Sequence, residues 1–431
     1  MIPSGNNQDL FVLDNGLAVG YEQIPSINSF NIGIFFCIGS FHEPEKLNGI
    51  AHLIEHMLFK RTSHYTNKEL VYKIEGLGGD YDAFTGYDGV TVTLRILNRY
   101  WKEAVALLYE IIQEALFLEE DFLAEKKVIL EEIEMYKETP QDYIMEMFTS
   151  SLWQGSPLGR PILGTEKTLG SLSASQARAW FKENFTAANA IISVAGQVEL
   201  RELKEALQIF EALSPGEQAG DLSRAPENYG LFYQRNKALR QAHLILYFPA
   251  VNHSDPRRYA YFVLNALLGA ADFSLFNQEI RESRGLAYNL YSDLILFPAN
   301  GVFYFYAGFK PARILELEEG LGEVFRLLRT DGITEELLNV AKNSVLSKLV
   351  FSLDIIYNIM EKNGTWLRRY GKFPNFEQTK ASIEAVTLED IRGLIREFLF
   401  SGECGLVYYG KNSKKDVEKI WKRLSSEFSG M

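Results

Sequence analysis

The chain has 431 residues, 47% hydrophobic and 23% charged, which is the make-up of a globular protein of two or more domains and not of a disordered one. A formal net charge of -12 argues against the basic surfaces that hold nucleic acid or anionic lipid, and it suits peptides of some basic character. Cys37 and Cys404 are too few for a disulfide framework or a Cys-based metal site, and they fit a reducing compartment. The first residues lack the basic and apolar regions of a secretory signal, and no run reaches the ~18 apolar residues of a membrane span, so a cytoplasmic protein is expected.

Residues 11–21 read as two strands about the turn Asp14-Asn15-Gly16. The apolar run 29–38 is predicted as a buried strand, and it leads through Gly39-Ser40-Phe41-His42-Glu43-Pro44 to His52-Leu53-Ile54-Glu55-His56. A helix starting near Asn48 sets the two histidines about 40° apart on one face and ~6 Å apart along the axis. At that spacing two imidazoles grip one metal ion. Glu55 sits beside them, placed to take a proton from a metal-bound water and poorly placed to be a third ligand in the same plane. The H-x-x-E-H order reverses the commoner H-E-x-x-H and is itself a zinc-peptidase motif; the competing reading is two ordinary histidines on a helix. His42 and His64 flank the motif outside its helical spacing, and a lone histidine is mostly structural.

Residues 67–77 are predicted as a helix stopped by Gly78-Gly79, and 80–94 as two antiparallel strands. In 101–117, Trp101, Val105, Leu108, Ile112 and Ala115 form a core-facing helical stripe. Residues 119–137 are acidic and amphipathic. Glu125 and Glu132 lie within about 20° of each other on this helix but roughly 10.5 Å apart along it, so one metal cannot hold both. By itself the segment reads as a solvated glutamate face, like Glu131, Glu134 and Glu138. Beside a two-histidine site that lacks a third ligand, one of the pair becomes a ligand candidate, since catalytic zinc takes three protein ligands plus water and His2Glu is a known set. Spacing alone leaves open which.

A turn at 156–161, a helix at 174–183 and a strand at 190–195 follow. Residues 212–228, with Pro215, Gly216, Gly220 and Pro226, are the linker candidate between an N-terminal domain, 1–211, and a C-terminal one, 229–431. The second part repeats the order of the first: strand 243–248, helix 259–268, helix-turn-strand 276–296, strand 302–308, helices 311–328 and 334–350, a helix near 388–398 and strand 404–409. The expected fold class is α+β, two homologous sandwich domains in tandem, each an antiparallel-rich sheet covered by helices. Only the first can bind the metal, because the second has apolar residues in place of the histidines and Lys342, Ser344 and Ser347 in place of the glutamates. In the second, a helix ending at Gly285 and turning into a strand would present Arg281 and Tyr288 toward one place, although such residues are mostly structural.

Five motifs in this order carry a family resemblance: Gly39-Ser40-Phe41-His42-Glu43-Pro44, Gly49-Ile50-Ala51-His52-Leu53-Ile54-Glu55-His56-Met57, Glu125-Lys126-Lys127-Val128-Ile129-Leu130-Glu131-Glu132, Pro157-Leu158-Gly159-Arg160-Pro161-Ile162-Leu163-Gly164, and Arg281 with Tyr288. Through them nearly the whole chain resembles the pitrilysin (insulinase) family of zinc metallopeptidases, in its short two-domain form similar to subunits of the mitochondrial processing peptidase. The resemblance implies that His52, His56 and Glu132 bind zinc, that Glu55 is the general base and that Glu125 is a supporting electrostatic residue. It implies that Arg281 and Tyr288 contact substrate backbone near the scissile bond, and that Asp82-Ala83-Phe84-Thr85 is the edge receiving substrate as an added strand. Asp82 stands where the family usually has Asn, which bears on substrate preference.

The implied chemistry is that of a zinc endopeptidase. Zinc polarises the carbonyl and lowers the pKa of its water toward ~7, while Glu55 carries the water's proton to the leaving amine. Recognition through main chain explains tolerance of many sequences. Family members resemble a clamshell of four such units and this chain has two, so the resemblance implies pairing. Because the chain carries both the zinc motif and the Arg/Tyr pair, a homodimer with two composite sites is expected, closing around peptides or unfolded segments. The alternatives are a heterodimer with a related chain and a non-catalytic scaffold of the same fold.

Overall fold

Alternation along one strand shows how the sheets are faced. In β3 (Ser29–Phe36), Phe30, Ile32, Ile34 and Phe36 enter the main core of their unit, and Phe35 points to the opposite face, as a side-chain period of two requires. The computed structural model describes residues 7–220, 224–330 and 332–428. Residues 1–6 and 221–223, the latter within the expected linker, lie outside the described residues.

The first sheet holds β1 (Gln8–Val12), β2 (Ala18–Gln23), β3, β4 (Asp80–Thr85), β5 (Val90–Leu97) and β6 (Ala190–Gly196), in the order β1-β2-β6-β3-β5-β4. Only β2 and β6 run parallel. The second sheet holds β7 (Leu231–Arg235), β8 (Ala242–Pro249), β9 (Ala287–Leu296), β10 (Gly301–Phe309) and β11 (Gly405–Gly410), in the order β7-β11-β8-β10-β9 with only β7 and β11 parallel. Writing β7, β11, β8, β10 and β9 for β2, β6, β3, β5 and β4 reproduces every neighbour and every direction. The duplication expected from the order of elements is therefore present strand by strand, with β1 the addition to the first copy.

In space the chain forms two compact units that interleave in sequence. The first takes the described residues of Met1–Glu134, Arg160–Asp221 and Val350–Phe376; the second takes those of Met135–Gly159, Leu222–Leu349 and Glu377–Met431. The cause is a pair of helices for which the sequence reading had assigned no element. Helix Ile356–Tyr370 covers the Phe35 face of the first sheet, where Ile359 and Met360 pack with Phe35 and Ala195. Its approach is close enough that a Cβ on Gly364 would sit 2.2 Å from the Phe35 ring. At its end Arg368 and Arg369 each place Nη2 3.0 Å from Asp88 Oδ2, in the turn between β4 and β5. In the second unit, helix Pro140–Leu152 packs on β8 and β11, and the Phe148 ring meets those of Tyr247 and Tyr304 at 5.0 and 5.3 Å. Each sheet is thus covered by a helix from the other half of the sequence. Among the described residues no helix is long and apolar enough to cross a membrane.

Candidate metal centre

The short helix Ile50–Leu58 carries the histidines, and a buried carboxylate sets where it starts. Glu43 Oε2 accepts from the Gly49 amide and from Asn48 Nδ2, and Oε1 accepts from the Ala51 amide, all at 2.9 Å. Amides at the start of a helix have no partner within it, and an acceptor there also meets the positive end of the helix dipole. Arg160 Nη2 donates to the Glu43 carbonyl oxygen at 2.8 Å. Burial nevertheless pushes the Glu43 carboxyl up to about 7, against these hydrogen bonds and the Arg160 charge. Gly49 has φ +96, outside the right-handed helical region, and a Cβ there would lie 2.7 Å from the Leu163 carbonyl oxygen; the helix begins at Ile50, near Asn48 as expected.

From that start Ile50, Ala51, Leu53, Ile54, Met57 and Leu58 are buried, and His52, Glu55 and His56 share the half-buried remainder. Helix Glu119–Glu138 brings both glutamates to them, at different heights. Glu132 Oε2 lies 3.9 Å from His52 Nε2 and 3.8 Å from His56 Nε2. The three residues offer ligand atoms all within 4.8 Å of one another, the single such group among the described residues. Atoms held about 2.1 Å from a common tetrahedral centre stand ~3.4 Å apart, so a slight contraction would seat a metal ion. Glu132 Oε2 is also buried with no hydrogen-bond partner among the described residues, an orphaned acceptor that a cation would satisfy.

Glu125 meets the other ring nitrogen of His56. Its Oε2 is 2.9 Å from His56 Nδ1 and its Oε1 2.7 Å from Lys60 Nζ. A proton on Nδ1 donated to that carboxylate leaves the Nε2 lone pair directed at Glu132, the tautomer a metal needs. His52 lacks such support, since its Nδ1 is buried without a partner among the described residues. Burial, and then the neighbouring His56, bring the His52 imidazole down to about 3, so it stays neutral and able to ligate.

Glu55 meets β4. The Thr85 hydroxyl donates to Glu55 Oε2. Burial raises the Glu55 carboxyl, the Thr85 bond and His56 oppose that rise, and Asp82 and Glu132 add to it. Among the described residues β4 is the last strand of its sheet, paired only with β5. Asp82 and Phe84 are exposed, while Ala83 and Thr85 turn inward. In the second unit Arg281 belongs to the π-helix Asn277–Ser283, Gly285 turns the chain at φ +57, and Tyr288, 85% exposed, follows the start of β9. Arg281 makes two loose ion pairs among the described residues, 3.8 Å to Asp272 and 3.7 Å to Glu282.

His42 and His64 stand outside the three-residue group. His42 Nδ1 accepts from the Gly39 amide at 3.2 Å, and His64 Nδ1 is 3.0 Å from Glu110. The sequence reading did not single out Lys60, nor any side-chain role for Glu43, Arg160 or the Thr85 hydroxyl. Glu43 and Arg160 do lie inside two of the family motifs, which was the available signal.

Comparison with known proteins finds two family domains in tandem along the chain. Residues 18–166 match the family described as Insulinase (Peptidase family M16), and residues 171–345 match the Peptidase M16 inactive domain. The chain is 31% identical over 396 residues to the "Uncharacterized zinc protease YmxG" of Bacillus subtilis (strain 168), which spans 92% of this chain and 96% of the relative. It is also 31% identical over 388 residues to an "Uncharacterized zinc protease" of Rickettsia felis, spanning 89% and 93%. The fold is shared with a protease from Helicobacter pylori at TM-score 0.88 and 19% identity, covering 95% of this chain and 100% of that one. It is shared too with a chain of complex III2 from Candida albicans, at TM-score 0.83 and 16% identity, covering 98% and 100%. The chain belongs to the insulinase family, peptidase family M16.

Proposed function

We propose that this protein is a zinc-dependent endopeptidase that hydrolyses peptides or unfolded segments. The observation that carries this is the convergence of His52, His56 and Glu132, with Glu55 on the same helix face and Glu125 behind His56. Membership of the family supports it, and relatives named zinc proteases make zinc the metal of choice. His52, His56 and Glu132 would hold the ion, which when bound supplies a Lewis acid for the scissile carbonyl and acidifies water.

The remaining steps belong to the chain's own residues. Glu55 accepts the proton of the attacking water and passes it to the leaving amine nitrogen, a transfer that burial favours by raising its carboxyl. β4 offers a free edge on which an extended substrate adds as a strand, so backbone is recognised before side chains. Arg281 and Tyr288 contact substrate backbone from a partner copy, in a homodimer with two composite sites that closes into a chamber. Possession of both elements by one chain supports that arrangement.

The test is hydrolysis of a quenched peptide library by the purified chain with zinc, beside Glu55→Gln, with the mass in solution recorded. Cleavage at internal bonds by a wild-type dimer, lost by at least ~100-fold in a variant that still holds zinc, is the expected result. A zinc-loaded wild type that cleaves nothing would instead favour a heterodimer or a scaffold. Rapid cleavage of a compact folded protein would refute the restriction to peptides and unfolded segments.

A further inference from the structure

The end of β4 faces two ways. Its exposed residues Asp82 and Phe84 border the free edge of the sheet, and Thr85, on the opposite side, is buried and spends its hydroxyl proton on Glu55 Oε2. A hydroxyl has one proton to give, so this bond fixes which carboxylate oxygen is occupied. Oε1 is then the oxygen left to receive a proton.

The strand end is itself held firmly. Gly86 N bonds to Gly89 O at 2.8 Å, and the amides of Ser40 and Phe41 bond to the carbonyls of Gly86 and Tyr87 at 3.1 and 3.0 Å. Asp88, in the same turn, is gripped by Arg368 and Arg369. Thr85 is therefore a fixed point against which the Glu55 side chain rests, not a loop residue that follows it.

We infer that Thr85 is a positioning residue for the general base: its hydroxyl holds Glu55 by Oε2, directs Oε1 toward the attacking water, and ties that orientation to the strand on which substrate adds. This rests on the reading of Glu55 as the base. A carboxylate without that bond turns about its terminal torsion and spends less time in the reactive pose, while the backbone edge that binds substrate is unaltered. The loss then falls on kcat and not on KM.

Thr85→Val keeps the shape and removes the hydroxyl, and Thr85→Ser restores the donor. With zinc-loaded protein and a quenched peptide, Val should lower kcat roughly 10- to 100-fold, with KM within about twofold and bound zinc unchanged, and Ser should recover most of the rate. A Val variant with wild-type kcat, or one whose loss lies in KM, overturns the inference. So does a Ser variant as slow as Val. Should the zinc-loaded wild type prove inactive, the reading of this chain as a peptidase by itself has failed, and a thermal-unfolding cycle of Thr85→Val against Glu55→Ala, each of which removes the bond, decides the contact separately. Non-additive shifts in midpoint then support the hold on Glu55, and additive shifts overturn it.

Discussion

Glu125 has 4% of its side chain exposed and holds two partners at once, His56 Nδ1 and Lys60 Nζ. A glutamine there puts an NH2 donor in place of one of the two oxygens, so it cannot serve both partners, and it leaves the Lys60 ammonium without its counter-charge. Glu125→Gln is expected to weaken zinc binding about 10- to 100-fold, read by competition with a chelator, because outer partners of a ligating histidine carry that much of the affinity. Glu43 allows a test by pH. Its ordinary value is 4.5 and its folded value about 7. Between those values the native state binds more protons than the unfolded chain, so this group's contribution to stability is full below 4.5 and declines as pH rises through 7. Glu43→Gln cannot ionise and removes that slope. From pH 4.5 to 8 the variant should gain on wild type by roughly 2–3 kcal/mol in urea unfolding. At this scale the sequence was legible where one helix supplies the geometry, as for His52, Glu55 and His56. The bonds Thr85 to Glu55, Lys60 to Glu125 and Arg160 to Glu43 join separate elements, and no periodicity shows them.

Among the elements, helix Ile356–Tyr370 shows why part of the fold was hidden. Its buried residues are Ile359, Met360, Asn363, Gly364 and Leu367, so two of the five are not hydrophobic and the apolar stripe is interrupted at one turn. Gly364 is there because Phe35 comes so close, and Asn363 because its Nδ2 bonds the buried Glu22 at 2.7 Å. A pattern set by the partner surface cannot be read from the helix alone. Helix Pro140–Leu152 is different: Ile144, Phe148 and Leu152 recur every four residues behind a proline at the first turn, a pattern legible in the sequence itself. The strands were easier, because a long apolar run such as β3 needs no knowledge of its partner. Gly364→Ala brings a methyl group within 2.2 Å of the Phe35 ring, and the packing must open to admit it. The expected cost is about 1–3 kcal/mol, seen as a lower melting temperature with zinc content unchanged at saturating metal.

For the whole chain, the interleaved units constrain how it can be cut and how it can pair. Severing it in 212–228 removes helix Ile356–Tyr370 from the first sheet and exposes Phe35 and Ala195, so the fragment 1–220 is expected to show no cooperative melt until residues 350–376 are supplied in trans. Pairing has a sharper test. If Glu55 of one copy works with Arg281 and Tyr288 of another, Glu55→Gln and Arg281→Ala chains should complement each other. Random exchange of equal amounts makes about half the dimers mixed, and a closed twofold arrangement gives each mixed dimer one site with both lesions and one with neither. About a quarter of all sites are then intact, so peptide cleavage should climb to roughly a quarter of wild type from two nearly inactive parents, once mass spectrometry confirms that mixed dimers have formed. If each chain instead used its own Arg281, every site in the mixed dimer would keep one lesion, and the mixture would stay at the average of its parents. Recovery in the presence of mixed dimers therefore separates a site shared between copies from a site complete in one, and it does so without naming a physiological substrate.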